Sequence, residues 1–136
     1  MTKISRRSFI ADAGKMAMTG TILSASLNHT EKEMKDVFVH HVYFWLKNTG
    51  NGEDLNQLVA GLKKLSAVKT IRQYQIGKPA ATSREVIDGS YAVSWLVLFN
   101  NKADQDSYQV DPIHLKFVEE CSPLWQKVIV YDSVDI

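Results

Sequence analysis

At 136 residues, 45% hydrophobic and 23% charged, the chain has room for one domain with a real core, and it is neither disordered nor fibrous in composition. The formal net charge of +1 hides an asymmetry, because Lys3, Arg6, Arg7 and Lys15 face only Asp12 in residues 1–30 and the remainder is slightly acidic. With no basic stripe and no RNA-reading motif, nucleic acid is not an expected partner, and no run approaches the ~18 apolar residues of a membrane span. Cys121 is the only cysteine, so no intrachain disulfide can form, and it reads as a small buried helix residue.

Residues 1–30 differ from the rest. Ser5-Arg6-Arg7-Ser8-Phe9 precedes a weakly apolar segment, Ala13 to Leu27, that contains Gly14, Thr19, Gly20, Thr21 and Ser24. This resembles a twin-arginine export signal, although Asp12 and Lys15 depart from the pattern, and Ser24-Ala25-Ser26 offers a small-residue cleavage site. The expectation is an exported, periplasmic protein in which residues 1–30 belong to no fold and residues 36–134 form the domain.

Val37 to Leu46 is mostly β-branched and aromatic and ends at Lys47-Asn48-Thr49-Gly50, which predicts a strand. Alternation sends Phe38, His40, Val42, Phe44 and Leu46 to one face and Val37, Val39, His41, Tyr43 and Trp45 to the other. Neither face is polar, so both need cover. Leu55, Leu58, Val59, Leu62 and Leu65 then fall at helical spacing, with Glu53 and Asp54 in the first turn and Lys63 and Lys64 in the last, where the helix dipole favours each sign. Thr70 to Ile76 alternates and reads as a more exposed strand; Tyr91 to Phe99 is a second strand apolar on both faces. Asn100 and Asn101 are good caps for a short helix from Lys102 to Val110. Pro112 cannot sit within that helix but suits the first turn of a new one, with Asp111 as its cap, running to Cys121 before Ser122-Pro123. Leu124 to Val134 is the last strand.

This order, β-α-β-β-α-β with the second helix broken, predicts an α+β, ferredoxin-like domain: a four-stranded antiparallel sheet with both helices on one face. The strands apolar on both faces then predict a homodimer, the helices covering one face and a second copy's sheet the other, with Tyr43 or Trp45 tolerating charge poorly.

Two motifs carry a resemblance to the stress-responsive A/B barrel domain family, a branch of the dimeric α+β barrel proteins. They are the opening strand His40-His41-Val42-Tyr43-Phe44-Trp45-Leu46-Lys47 and the broken-helix segment Tyr108-Gln109-Val110-Asp111-Pro112-Ile113-His114. Asp111 stands where the family commonly has His. By resemblance to a plant polyketide-cyclase branch that works without metal or organic cofactor, His114 matches the essential His, Tyr108 its partner and His40 the first-strand His. A third-strand His of that branch falls on Val93. The catalytic candidates are therefore His114, Tyr108 and His40.

Independently of the family, His114 occupies the third position of a new helix, where the charged imidazole is disfavoured and a nitrogen is left free as a base. With a phenol and a second imidazole nearby, the set suits enolisation of a β-keto compound. The competing reading is a satisfied buried histidine and a core tyrosine. A metal site is not expected, since His40 and His41 point to opposite faces and no carboxylate or second Cys at ligand spacing joins them. No cofactor motif is present. Three functions share the fold: a protein that binds an apolar or aromatic small molecule, with or without cofactor-free aldol or proton-transfer chemistry; a non-catalytic stress or binding protein; and a monooxygenase of the antibiotic-biosynthesis type.

Overall fold

A computed structural model describes residues 32–136, and the expected export segment lies outside the described residues. Four strands, β1 (Phe38–Leu46), β2 (Gln73–Gly77), β3 (Val93–Phe99) and β4 (Trp125–Val134), form one antiparallel sheet in the order β2-β3-β1-β4. The helices are α1 (Gly52–Leu65), α2 (Lys102–Val110) and α3 (Pro112–Cys121), the last running into a short 3-10 turn at Ser122–Leu124. The expected order and fold class hold. β2 is shorter than its alternating stretch: Arg72 donates a backbone bond to Leu98 but only Gln73 onward pairs in register with β3.

The inner face of the sheet is closed by the helices. Phe38, Val42, Phe44 and Leu46 of β1 and Val93, Trp95, Val97 and Phe99 of β3 are buried against Leu58, Leu62 and Leu65 of α1, which are wholly inaccessible. Each such leucine contributes roughly 1.5–3 kcal/mol by leaving water. Asn51 caps α1, its side-chain oxygen accepting from the backbone N–H of Glu53 and Asp54 at 3.0 and 3.1 Å. Asn101 does the same for α2, from Asp104 at 2.8 Å.

α1 also packs on α3, and the approach is close. A Cβ on Gly61 would stand 2.5 Å from the sulfur of the buried Cys121. Gly61→Ala should therefore destabilise the domain by roughly 1–3 kcal/mol, although alanine is the better helix former. Adding Cys121→Ala should recover most of the loss in a denaturant melt. Additive losses in the double variant would show that the contact is not the cause.

The opposite face of the sheet carries Val39, His41, Tyr43 and Trp45 of β1, each only half-buried, and Tyr131 of β4, which is 65% exposed. Tyr43 pairs across to Ile129 and His41 to Tyr131. Between Trp45 and Leu46 the β1–β4 register shifts: Trp45 opposes Lys127 but Leu46 opposes Trp125, so Gln126 is an extra residue. The bulge turns Trp125 to the inner face, with its ring 5.1 Å from that of Phe44 and 5.8 Å from that of Phe117. Among the described residues no helix is long and apolar enough to cross a membrane.

Candidate active site

A cavity of about 390 Å³ lies between the inner sheet face and the broken helix, and His40, Tyr108 and His114 all line it. Trp95, Phe117 and Trp125 supply aromatic wall, and Val118, Val128 and Val130, each at least 36% exposed, form an apolar mouth. The break at Asp111 makes this convergence. Asp111 is extended (φ −62°, ψ 137°), and its carboxylate accepts from the N–H of Ile113 at 2.8 Å while Pro112 opens α3. Tyr108 before the break and His114 after it are thereby brought together, ring centroids 4.7 Å apart.

His40 reaches the same cavity from β1, its ring 5.7 Å from that of Tyr108. Its Nδ1 lies 2.6 Å from Oδ1 of Asp132, the residue directly opposite it on β4. An ionised carboxylate only accepts, so Nδ1 carries a proton, and in the neutral ring Nε2 is the acceptor. Asp132 is 44% exposed at the rim, where water reaches it.

Tyr108 is buried at 1% exposure, and its hydroxyl accepts from the indole N–H of Trp95 at 3.0 Å. Indole only donates, so the phenolic proton remains free to be given elsewhere. Burial pushes the phenol well above its usual range, so it stays protonated at all ordinary pH values. His114 is half-buried, and burial lowers the pKa of its ring below 6.5. The neighbouring His40 lowers it further, and the Gln109 carbonyl and Asp111 oppose without reversing the shift. Its Nδ1 is buried and has no well-formed hydrogen bond.

Two site residues escaped the sequence reading, Asp132 and Trp95. Trp95 had a signal, since its alternation with Val93 and Val97 sends an indole N–H into the core, where it needs an acceptor. Val93, where the resemblance would put a third imidazole, is buried opposite Phe44 and brings no polar group. His41 lies on the other face, its Nδ1 3.1 Å from the Tyr43 hydroxyl. Among the described residues no three His, Cys, Asp or Glu side chains come together as metal ligands would.

The chain matches the Stress responsive A/B Barrel Domain over residues 38–135. It belongs to that family. Solved structures with the same fold include an A/B barrel domain protein from Mesorhizobium loti, 24% identical, TM-score 0.62, covering 74% of this chain and 97% of that one. A hydroxynitrile lyase from Passiflora edulis is 18% identical with TM-score 0.63, covering 74% and 94%. A dimeric ferredoxin-like protein of unknown function from Thermobifida fusca is 17% identical with TM-score 0.61, covering 79% and 100%. At these identities the likeness of the A/B barrel domain to solved structures is one of fold. No curated protein matches the chain.

Proposed function

We propose that this A/B barrel domain binds a small apolar or aromatic carbonyl compound in the inner cavity and moves a proton on it without a cofactor. The observation that carries the reading is the convergence of a neutral His114, whose buried Nδ1 makes no well-formed hydrogen bond, with the free phenolic proton of Tyr108 in one apolar cavity. His114 takes the proton from the carbon beside the carbonyl. Tyr108 donates to the oxygen as it becomes an enolate, and Nε2 of His40, held in place by Asp132, accepts from a substrate hydroxyl. No carboxylate hydrogen-bonds to His114; Asp111 is engaged as the helix cap and acts on it only through its charge. The imidazolium is therefore short-lived and gives up its proton, to the enolate oxygen in a simple tautomerisation or to the new alkoxide in an aldol closure. The hydroxynitrile lyase on the same fold supports such chemistry in this architecture.

A second reading is a binding protein without turnover. It is favoured by Tyr108, which is as buried as a core aromatic and already satisfied by Trp95. Benzoylacetone separates the two. Its enol absorbs in the ultraviolet, and Trp95 and Trp125 in the cavity wall report occupancy through their fluorescence. Faster interconversion of enol and ketone with a saturable fluorescence change supports the first reading; saturable binding without acceleration overturns it in favour of the second. No binding at all removes both.

The working form in this reading is a homodimer closed over the outer sheet face, whose half-buried Val39, His41, Tyr43 and Trp45 suit a partner sheet. The dimeric Thermobifida fusca and Bacteroides fragilis proteins of the same fold support it. Export is proposed on the Ser5-Arg6-Arg7-Ser8-Phe9 core alone. Replacing Arg6 and Arg7 together by Lys should strand a reporter fusion in the cytoplasm, and unchanged export would remove the assignment.

A further inference from the structure

We propose, resting on that reading of the inner cavity, that its ligand is an uncharged carbonyl compound bearing a hydroxyl across an aromatic ring from the carbonyl. Gln105 and Gln109 of α2 are the residues that select this hydroxyl. Both line the cavity, on the side of the sheet away from the face assigned to a partner. Gln105 is only 9% exposed, whereas Gln109, one turn on, is exposed.

The Gln105 amide donates to Oε1 of Gln109 at 3.0 Å. That bond leaves the carbonyl oxygen of Gln105 and the NH2 of Gln109 without a protein partner. Turning both amides over exchanges the two roles and leaves the same set, one spare carbonyl and one spare NH2. Two glutamines four apart on an exposed helix face would leave such groups to water. Here one of the pair stands inside a cavity walled by Trp95, Phe117 and Trp125. An apolar ligand filling that cavity strips the water from the Gln105 amide, and only a polar group on the ligand replaces it. A hydroxyl gives a proton to a carbonyl and takes one from an NH2 through a single atom, which suits two amides already bonded to each other.

Charge and position narrow the ligand further. Among the described residues no lysine or arginine lines the cavity, and Asp132, its one carboxylate, is already bonded to His40. An anionic group in place of the hydroxyl would find no counter-charge there. Gln105 precedes Tyr108 by three residues on the buried side of α2, so it stands ~4.5 Å further along the helix, on the side away from His114. With the reacting carbon at His114 and the carbonyl oxygen at Tyr108, the far end of the ligand lies at Gln105. An aromatic ring spans that interval.

The test uses benzoylacetones carrying a para-hydroxyl, para-methyl or para-carboxylate on the ring. They are titrated by calorimetry into the purified protein in its native oligomeric form, in mildly acidic buffer where the phenol is un-ionised, and enol–keto interconversion is followed separately. The hydroxyl compound should bind at least roughly tenfold more tightly than the methyl compound, and the carboxylate no better than the methyl. Gln105→Leu should bring the hydroxyl-to-methyl ratio close to one. Gln109→Leu, at an exposed position, should lower it by roughly threefold and keeps the test open if Gln105→Leu fails to fold, which near-ultraviolet dichroism checks. Equal binding of hydroxyl and methyl compounds, or tightest binding of the carboxylate, would overturn the proposal. So would a ratio unchanged in either folded variant, which would give the hydroxyl to His40 instead. Hydroxyl preference without faster interconversion leaves the selectivity standing and removes the proton transfer; faster interconversion without preference does the reverse. No binding of any of the three removes both.

Discussion

His114→Ala should slow the enol–keto interconversion of benzoylacetone by two to four orders of magnitude while leaving the melting profile close to that of the parent. The range is what a positioned general base contributes, roughly 10²–10⁴-fold. The fold should survive because the side chain is only half-buried and its Nδ1 makes no well-formed hydrogen bond. Full activity in this variant would leave the cavity standing and remove the chemistry. Acidity offers an independent check. Burial lowers the His114 pKa below 6.5, so the base remains neutral, and the rate level, to a pH below that of an exposed imidazole. Stability moves in the same window. Below pH 6.5 the unfolded chain takes up a proton that the folded chain refuses, so stability falls with pH until folded His114 itself titrates, and is level beyond. His41, lowered chiefly by burial and then by His40, adds to the loss with the same sign. An acid limb centred at or above pH 6.5 would contradict the assignment of His114 as the base.

Tyr43→Glu should convert a sedimenting dimer into a monomer at micromolar concentration. Tyr43 sits mid-strand on the outer face, between Ser94 on β3 and Ile129 on β4, so a charge there cannot slip to the edge of a covering sheet. Burying it unpaired costs several kcal/mol, enough to weaken association by three orders of magnitude or more. In the separated protomer the same position is only half-buried, so the fold itself should persist. If the parent protein already sediments as a monomer at that concentration, the partner sheet is absent and the outer face needs another explanation.

The fold was legible because its signals are local. Two strands apolar on both faces, one leucine stripe and an Asp-Pro break each report on a few neighbouring residues, and together they leave one topology. The convergence of His40, Tyr108 and His114 was legible too, since it needs only the parity of β1 and the turn at Asp111. What stayed hidden is what depends on register. Asp132 faces His40 only because β4 pairs with β1 in one alignment across 92 residues of chain, and no periodicity announces that. Trp95 and Tyr108 meet through a bond between a strand and a helix, for which the sequence holds a needy donor and several candidate acceptors. The short β2 was overread because alternation continues through Thr70 to Arg72 after sheet pairing has ended.

The extra residue at Gln126 acts as a length gauge. Without it β4 would run in unbroken alternation and Trp125, at an odd position with Lys127, Ile129 and Tyr131, would point away from the helices. One inserted backbone unit, tied down by the bond from the Gln126 amide to the Leu46 carbonyl at 3.0 Å, swings an indole into the cavity wall beside Phe44 and Phe117. The position of this part of the cavity wall is thus set by backbone count rather than by a side-chain choice. Removing that one residue would return Trp125 to the outer face and widen the inner cavity without touching any of its polar groups.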